Sequence, residues 1–119
     1  MATYGELVDV TTEPLRARGF AVVRSFEEGL GFRHEFASEP LLVRFTNDRG
    51  FLLVTVKLPS KGDWVSLGSI LDRVRDMEPR ATWETGAGAV EVITKHGDRL
   101  VQLLGDPEFL AGLGPPSWD

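Results

Sequence analysis

Apolar and polar positions alternate most regularly over residues 41–58, where two β-rich runs flank the turn formers Asn47-Asp48-Arg49-Gly50. Glycine accepts positive φ, and Asn and Asp side chains hydrogen-bond their own backbone, so the stretch predicts a β-hairpin. One face gathers Leu41, Val43 and Phe45 with Leu52, Val54 and Val56. Pairing Phe45 with Leu52, Val43 with Val54 and Leu41 with Val56 keeps all six together. That register demands an even loop, either Asp48-Arg49 or residues 47–50. A one-residue slip would turn half of the six toward the opposite face, which burial disfavours. The reverse face then carries Leu42, Arg44, Thr46, Phe51, Leu53, Thr55 and Lys57, of which three are large and apolar. Such a face is not expected to be left wholly to water.

Other periodicities fill in the remaining elements. Residues 4–18 predict a helix on an imperfect apolar stripe of Leu7, Val8 and Leu15, with Val10 a further candidate, and with Glu6 and Asp9 near its positive end. Pro14 should kink that helix or start a second turn, and Gly19 stands where a left-handed cap belongs, with Phe20 packing back. Residues 20–26 and 32–37 predict strands; in the second, Phe32, His34 and Phe36 alternate with Arg33 and Glu35. Residues 59–62 read as a turn. Leu67, Ile70, Leu71, Val74 and Met77 then give the clearest helical stripe, capped by Asp63 or Ser66, approached through Trp64 and ended at Pro79. Residues 87–104 are ambiguous. Val90, Ile93, Leu100, Leu103 and Leu104 fit a helix, whereas Val90-Glu91-Val92-Ile93-Thr94 is β-rich and Gly97 costs a helix about 1 kcal/mol. Helix is the favoured reading. Asp106-Pro107 forms a cap and first position for a short helix to about Leu110.

These elements add up to one α+β domain over residues 1–119, with 113–119 as a tail. It has an N-terminal helix, a four-stranded antiparallel meander sheet, and two or three C-terminal helices on the face of Leu41, Val43, Phe45, Leu52, Val54 and Val56.

Composition narrows the function classes. At 119 residues, 42% hydrophobic and 26% charged, the chain is long enough for a core of its own. No apolar run approaches the roughly 20 residues that span a bilayer, and Glu6 and Asp9 stand where a signal peptide would be basic. A cytoplasmic bacterial protein without a membrane partner is the expectation. The absence of cysteine excludes disulfides, thiolate metal sites and thiol catalysis. Net charge is −5, spread as −3 over residues 1–40, +2 over 41–80 and −4 over 81–119. So small a basic surplus does not point to nucleic acid.

Candidate chemistry is sparse. His34 lies in the apolar row of its strand and His96 in Lys95-His96-Gly97-Asp98; neither has metal-ligand spacing, so no metal and no cofactor are expected. No nucleophile elbow surrounds a serine, and in Gly86-Ala87-Gly88 the third position of a phosphate-cradling loop would be Glu91, which repels phosphate. Glu27-Glu28 is expected in a turn, where water would relieve their repulsion, so acid–base catalysis by the pair is not indicated. Asp48-Arg49, charged and at a hairpin tip, is placed where recognition residues often stand, although Asp in a turn first caps its own backbone and Arg there is usually just solvated.

Arg18-Gly19-Phe20 after a helix, the Asn47–Gly50 hairpin and the helix entry from Trp64 to Leu71 together resemble small bacterial α+β proteins of the immunity-partner type, over roughly residues 15–77. The resemblance implies a cytoplasmic binding protein without catalytic activity and transfers no site residues. The expected function is accordingly a non-enzymatic protein-binding module, immunity-like or adaptor. Its candidate binding residues are Leu42, Arg44, Asp48, Arg49, Phe51 and Leu53, and its partner is another protein or a second copy in a homodimer. The alternative is a small enzyme or ligand-binding domain with a polar pocket near His34, Arg44 and Asp48.

Overall fold

The computed structural model describes residues 4–28, 31–48, 51–74 and 86–113. Its elements are α1 (Tyr4–Arg16), β1 (Ala21–Glu28), β2 (Gly31–Ala37), β3 (Leu42–Asp48), β4 (Phe51–Leu58), β5 (Lys61–Ser66), α2 (Leu67–Arg73), α3 (Gly86–Leu104) and α4 (Pro107–Leu113). The fold is α+β, with an N-terminal helix, an antiparallel sheet and C-terminal helices. The sheet has five strands in the order β1-β2-β3-β4-β5, not four.

The added strand comes from residues read as a turn and a helix approach. Leu58 pairs with Lys61 across Pro59-Ser60, and Val65 then pairs with Val56 and Ser66 with Thr55. Gly62 takes φ +82°, which lets β5 enter the ladder through an irregular register. Trp64 is thus a strand residue. Ser66 ends β5 and caps α2, its hydroxyl accepting from Ser69 N at 3.4 Å; Asp63 does not cap it. Met77 and Pro79, expected in and after that helix, lie outside the described residues.

The central hairpin forms with its register moved by two residues from the expected one. Val43 faces Val56, Phe45 faces Val54, Asn47 faces Leu52, and Asp48 closes the ladder opposite Phe51. A shift of two preserves the side-chain alternation, so the predicted face is still the buried one. Leu41, Val43, Phe45, Val54 and Val56 are all buried, and Leu52 packs half-buried at the end of the row.

Phe36 and Phe45 meet edge-on with ring centroids 6.0 Å apart, and α1, α2 and α3 close over them with Leu15, Leu67, Ile70, Leu71, Val92, Ile93 and Leu100. A fully buried side chain of this size contributes about 1.5–3 kcal/mol through burial. The core face of the sheet therefore holds the helices.

Several local expectations meet their physical cause. α1 runs through Pro14 to Arg16 as one helix. It ends in a Schellman cap: Phe20 N donates to Leu15 O, Gly19 N donates to Arg16 O, and Gly19 sits at φ +90°. Residues 86–104 are helical, with a break at His96 (φ −120°, ψ 20°) beside Gly97. The β-rich run before the break is helical because Val90, Val92 and Ile93 are all buried against the core. Asp106 caps α4, its Oδ1 accepting from Glu108 N at 3.0 Å, and α4 extends to Leu113 rather than Leu110.

Candidate functional site

Register divides the candidate residues between two faces. On β2 and β3, Phe32, His34, Phe36, Val43, Phe45 and Asn47 point into the core, while Arg33, Glu35, Leu42, Arg44 and Thr46 occupy the outer face. β4 adds Leu53, Thr55 and Lys57 to the outer face, β5 adds Trp64, and Arg24 of β1 joins opposite Glu35. Of the expected binding residues, Leu42, Arg44 and Leu53 therefore share one surface. Asp48 and Phe51 hold paired backbone positions in its end row, and Arg49 lies outside the described residues.

Arg44 is the centre of that surface. Its guanidinium carbon stands 4.2 Å from the centroid of the Trp64 ring. Its Nη1 is 4.0 Å from Glu35 Oε1, a loose pair between side chains only 18% and 16% exposed. Its Nε is buried with no hydrogen-bond partner. Burial lowers the pKa of the group, as does neighbouring Arg33, with Glu35 opposing both. Arg44 stays charged all the same, because arginine starts so far above neutrality. Stacking on the indole fixes the plane of a cation whose hydrogen bonds are incompletely used.

His34 is on the opposite side. Its ring is buried, with Nδ1 2.9 Å from Ser25 Oγ on β1 and Nε2 3.3 Å from Thr12 Oγ1 on α1. It meets Phe36 edge-on at 4.5 Å. A neutral imidazole donates from one nitrogen and accepts at the other, so two hydroxyls, each able to do either, satisfy it. Burial lowers its pKa and favours that neutral ring. The arrangement pins α1 to the sheet. As a base toward the exposed Ser25 it is poor, since the group at Nε2 is a hydroxyl rather than a carboxylate that would stabilise an imidazolium. His34 and Arg44, on opposite faces, do not line one pocket.

Sequence reasoning did not foresee a cleft where α3 breaks. It has a volume of about 240 Å³, an apolar floor that includes Phe20, Leu41 and Ile93, and a rim that includes Arg18, Lys95 and Asp98. The one hint in the chain was Lys95-His96-Gly97-Asp98, where a helix-interrupting glycine stands among charged residues. Among the described residues no group of three or more His, Cys, Asp or Glu side chains could hold a metal ion, and no helix is long and apolar enough to cross a membrane. Comparison with family models, curated proteins and solved structures finds no match to the chain.

Proposed function

We propose that this chain is a non-enzymatic protein-binding module, of immunity-like or adaptor kind, that works in the cytoplasm and docks its partner on the outer face of the sheet. The observation that carries the reading is the division of the two faces. The buried residues of α1, α2 and α3 join the core on one side, while the other side sets Leu42, Leu53 and Trp64 around a stacked arginine. Apolar side chains among fixed polar groups are the usual make-up of an interface centre, where Trp and Arg are enriched. The absence of cysteine agrees with a reducing compartment.

The test is selection of a random peptide library on the immobilised full chain, followed by affinity measurements with a Leu42→Asp, Leu53→Asp variant whose fold is checked by circular dichroism. Binders that lose affinity for the variant support the reading. No binders, or binders indifferent to it, would overturn it. Sedimentation tests the homodimer form: a species that stays monomeric at high concentration removes it.

A second reading, a small-ligand domain, has the α3 cleft in its favour. The cleft's 240 Å³ falls below the roughly 300–1,000 Å³ typical of ligand pockets, so it ranks second.

A further inference from the structure

Four cations occupy three successive cross-strand rows of the outer face. Lys57 pairs with Leu42 in one row; Arg24, Glu35, Arg44 and Thr55 form the next; Arg33 lies in the third, opposite Thr46, which in turn pairs with Leu53. Among the described side chains of this face, Glu35 is the only carboxylate. Two further acidic positions, Glu28 and Asp48, stand in the end row. This basic patch sits on a chain whose net charge is −5, so the rest of the surface is more acidic than the total suggests. Local sign opposite to the whole is the condition for oriented docking, since the patch attracts an acidic partner while the remainder repels it.

Resting on the docking reading above, we infer that the outer face receives a protein segment bearing carboxylates beside an aliphatic or aromatic side chain. Arg44 is the anchor. Its guanidinium is already oriented by Trp64, so a carboxylate can take paired N–H donors without first ordering a flexible side chain. Leu42 and Leu53, half-buried on either side, provide the apolar contact that excludes water from that pair.

A second copy fits less well, because facing two such patches through a twofold axis sets like charges together. A nucleic acid fits less well too. A polyanion long enough to leave the patch meets the acidic remainder, and the one aromatic in the described patch, Trp64, already has Arg44 stacked on one of its two ring faces.

The experiment uses the same random peptide selection on the full chain and reads what the binders contain. Enrichment of Asp and Glu next to Leu, Ile, Phe or Trp is expected. An Arg33→Gln, Arg44→Gln variant should weaken the selected peptides at least about tenfold. Should that variant fail to fold, the parent supplies the readout through salt, because affinity for acidic peptides must fall between low and high sodium chloride. Binders that lose affinity for Leu42→Asp, Leu53→Asp, yet show no acidic bias and no salt dependence, overturn this inference and leave the docking face standing. Binders indifferent to all variants overturn both. A twelve-residue oligothymidylate that binds the face more tightly than the selected peptides also overturns it, in favour of nucleic acid.

Discussion

The contact between Arg44 and Trp64 lends itself to a double-mutant cycle with Arg44→Met and Trp64→Leu. The guanidinium carbon lies 4.2 Å from the ring centroid, and the arginine side chain is only 18% exposed. Cation–π contacts contribute about 0.5–1 kcal/mol when exposed and about 2 kcal/mol when desolvated, so a coupling near 1 kcal/mol is expected for this intermediate case.

Neither single variant reports that number. Arg44→Met removes the ring contact and the loose pair with Glu35, together about 1–2 kcal/mol. It also removes the buried Nε that has no hydrogen-bond partner, whose relief offsets about 1–3 kcal/mol. The single change should therefore fall between about 1 kcal/mol less stable and about 2 kcal/mol more stable than the parent. Trp64→Leu should cost about 1–2 kcal/mol through lost apolar burial. The cycle cancels these terms. Urea unfolding of all four proteins, followed by far-ultraviolet circular dichroism, gives the coupling. A value below about 0.3 kcal/mol, the level at which independent sites add, would refute the claim that the indole holds the guanidinium in place.

Three other outcomes follow from the geometry. His34 has a folded pKa below its unfolded value, so the unfolded chain binds the proton more readily. Its contribution to stability is complete above the ordinary imidazole pKa and is lost as pH falls below it. The urea midpoint of the parent should therefore drop from pH 8 to pH 5 by more than that of His34→Phe, and equal drops would sink the assignment. Gly19 and Gly97 both have open space for a methyl group, but only Gly19 has positive φ. Gly19→Ala should cost about 1–2 kcal/mol and Gly97→Ala should add about 0.4–1 kcal/mol, so midpoint shifts of the same sign would contradict the backbone argument. Asp106→Ala removes the acceptor for Glu108 N and should cost about 1 kcal/mol, read as a fall in the thermal midpoint.

How much of this was legible in the chain depends on the kind of signal. Face assignment was legible, because alternation of period two separates Val43 and Phe45 from Leu42 and Arg44 whatever the exact pairing. Register was not, because the same alternation is unchanged by a shift of two. Only the placement of the loop distinguishes Val43 opposite Val54 from Val43 opposite Val56. β5 was missed because Lys61, Gly62 and Asp63 have turn chemistry, and Trp64-Val65 alone is too short to show a period. Pairing with β4 makes it a strand. For the candidate site, the common face of Leu42, Arg44 and Leu53 was legible, but their spacing was not, since Leu53 stands opposite Thr46 and Arg44 opposite Thr55. The stacking of Arg44 on Trp64 was invisible, since it depends on the strand that was not foreseen. So was the cleft at the α3 break, which joins Arg18 to residues about 75 positions further along the chain.

The strand order has a consequence for how the molecule assembles. Each strand neighbours its predecessor, and no connection between consecutive strands is longer than the four residues between β2 and β3. Closing so short a connection costs little chain entropy, so the ladders can zip outward from the central hairpin. The slow event is then bringing α3 back onto α1, which it follows by about 70 residues, because that closure alone spans most of the polypeptide. Substitutions in the helix pair should thus govern the barrier, and those at the sheet's outer rows should govern the rate of opening.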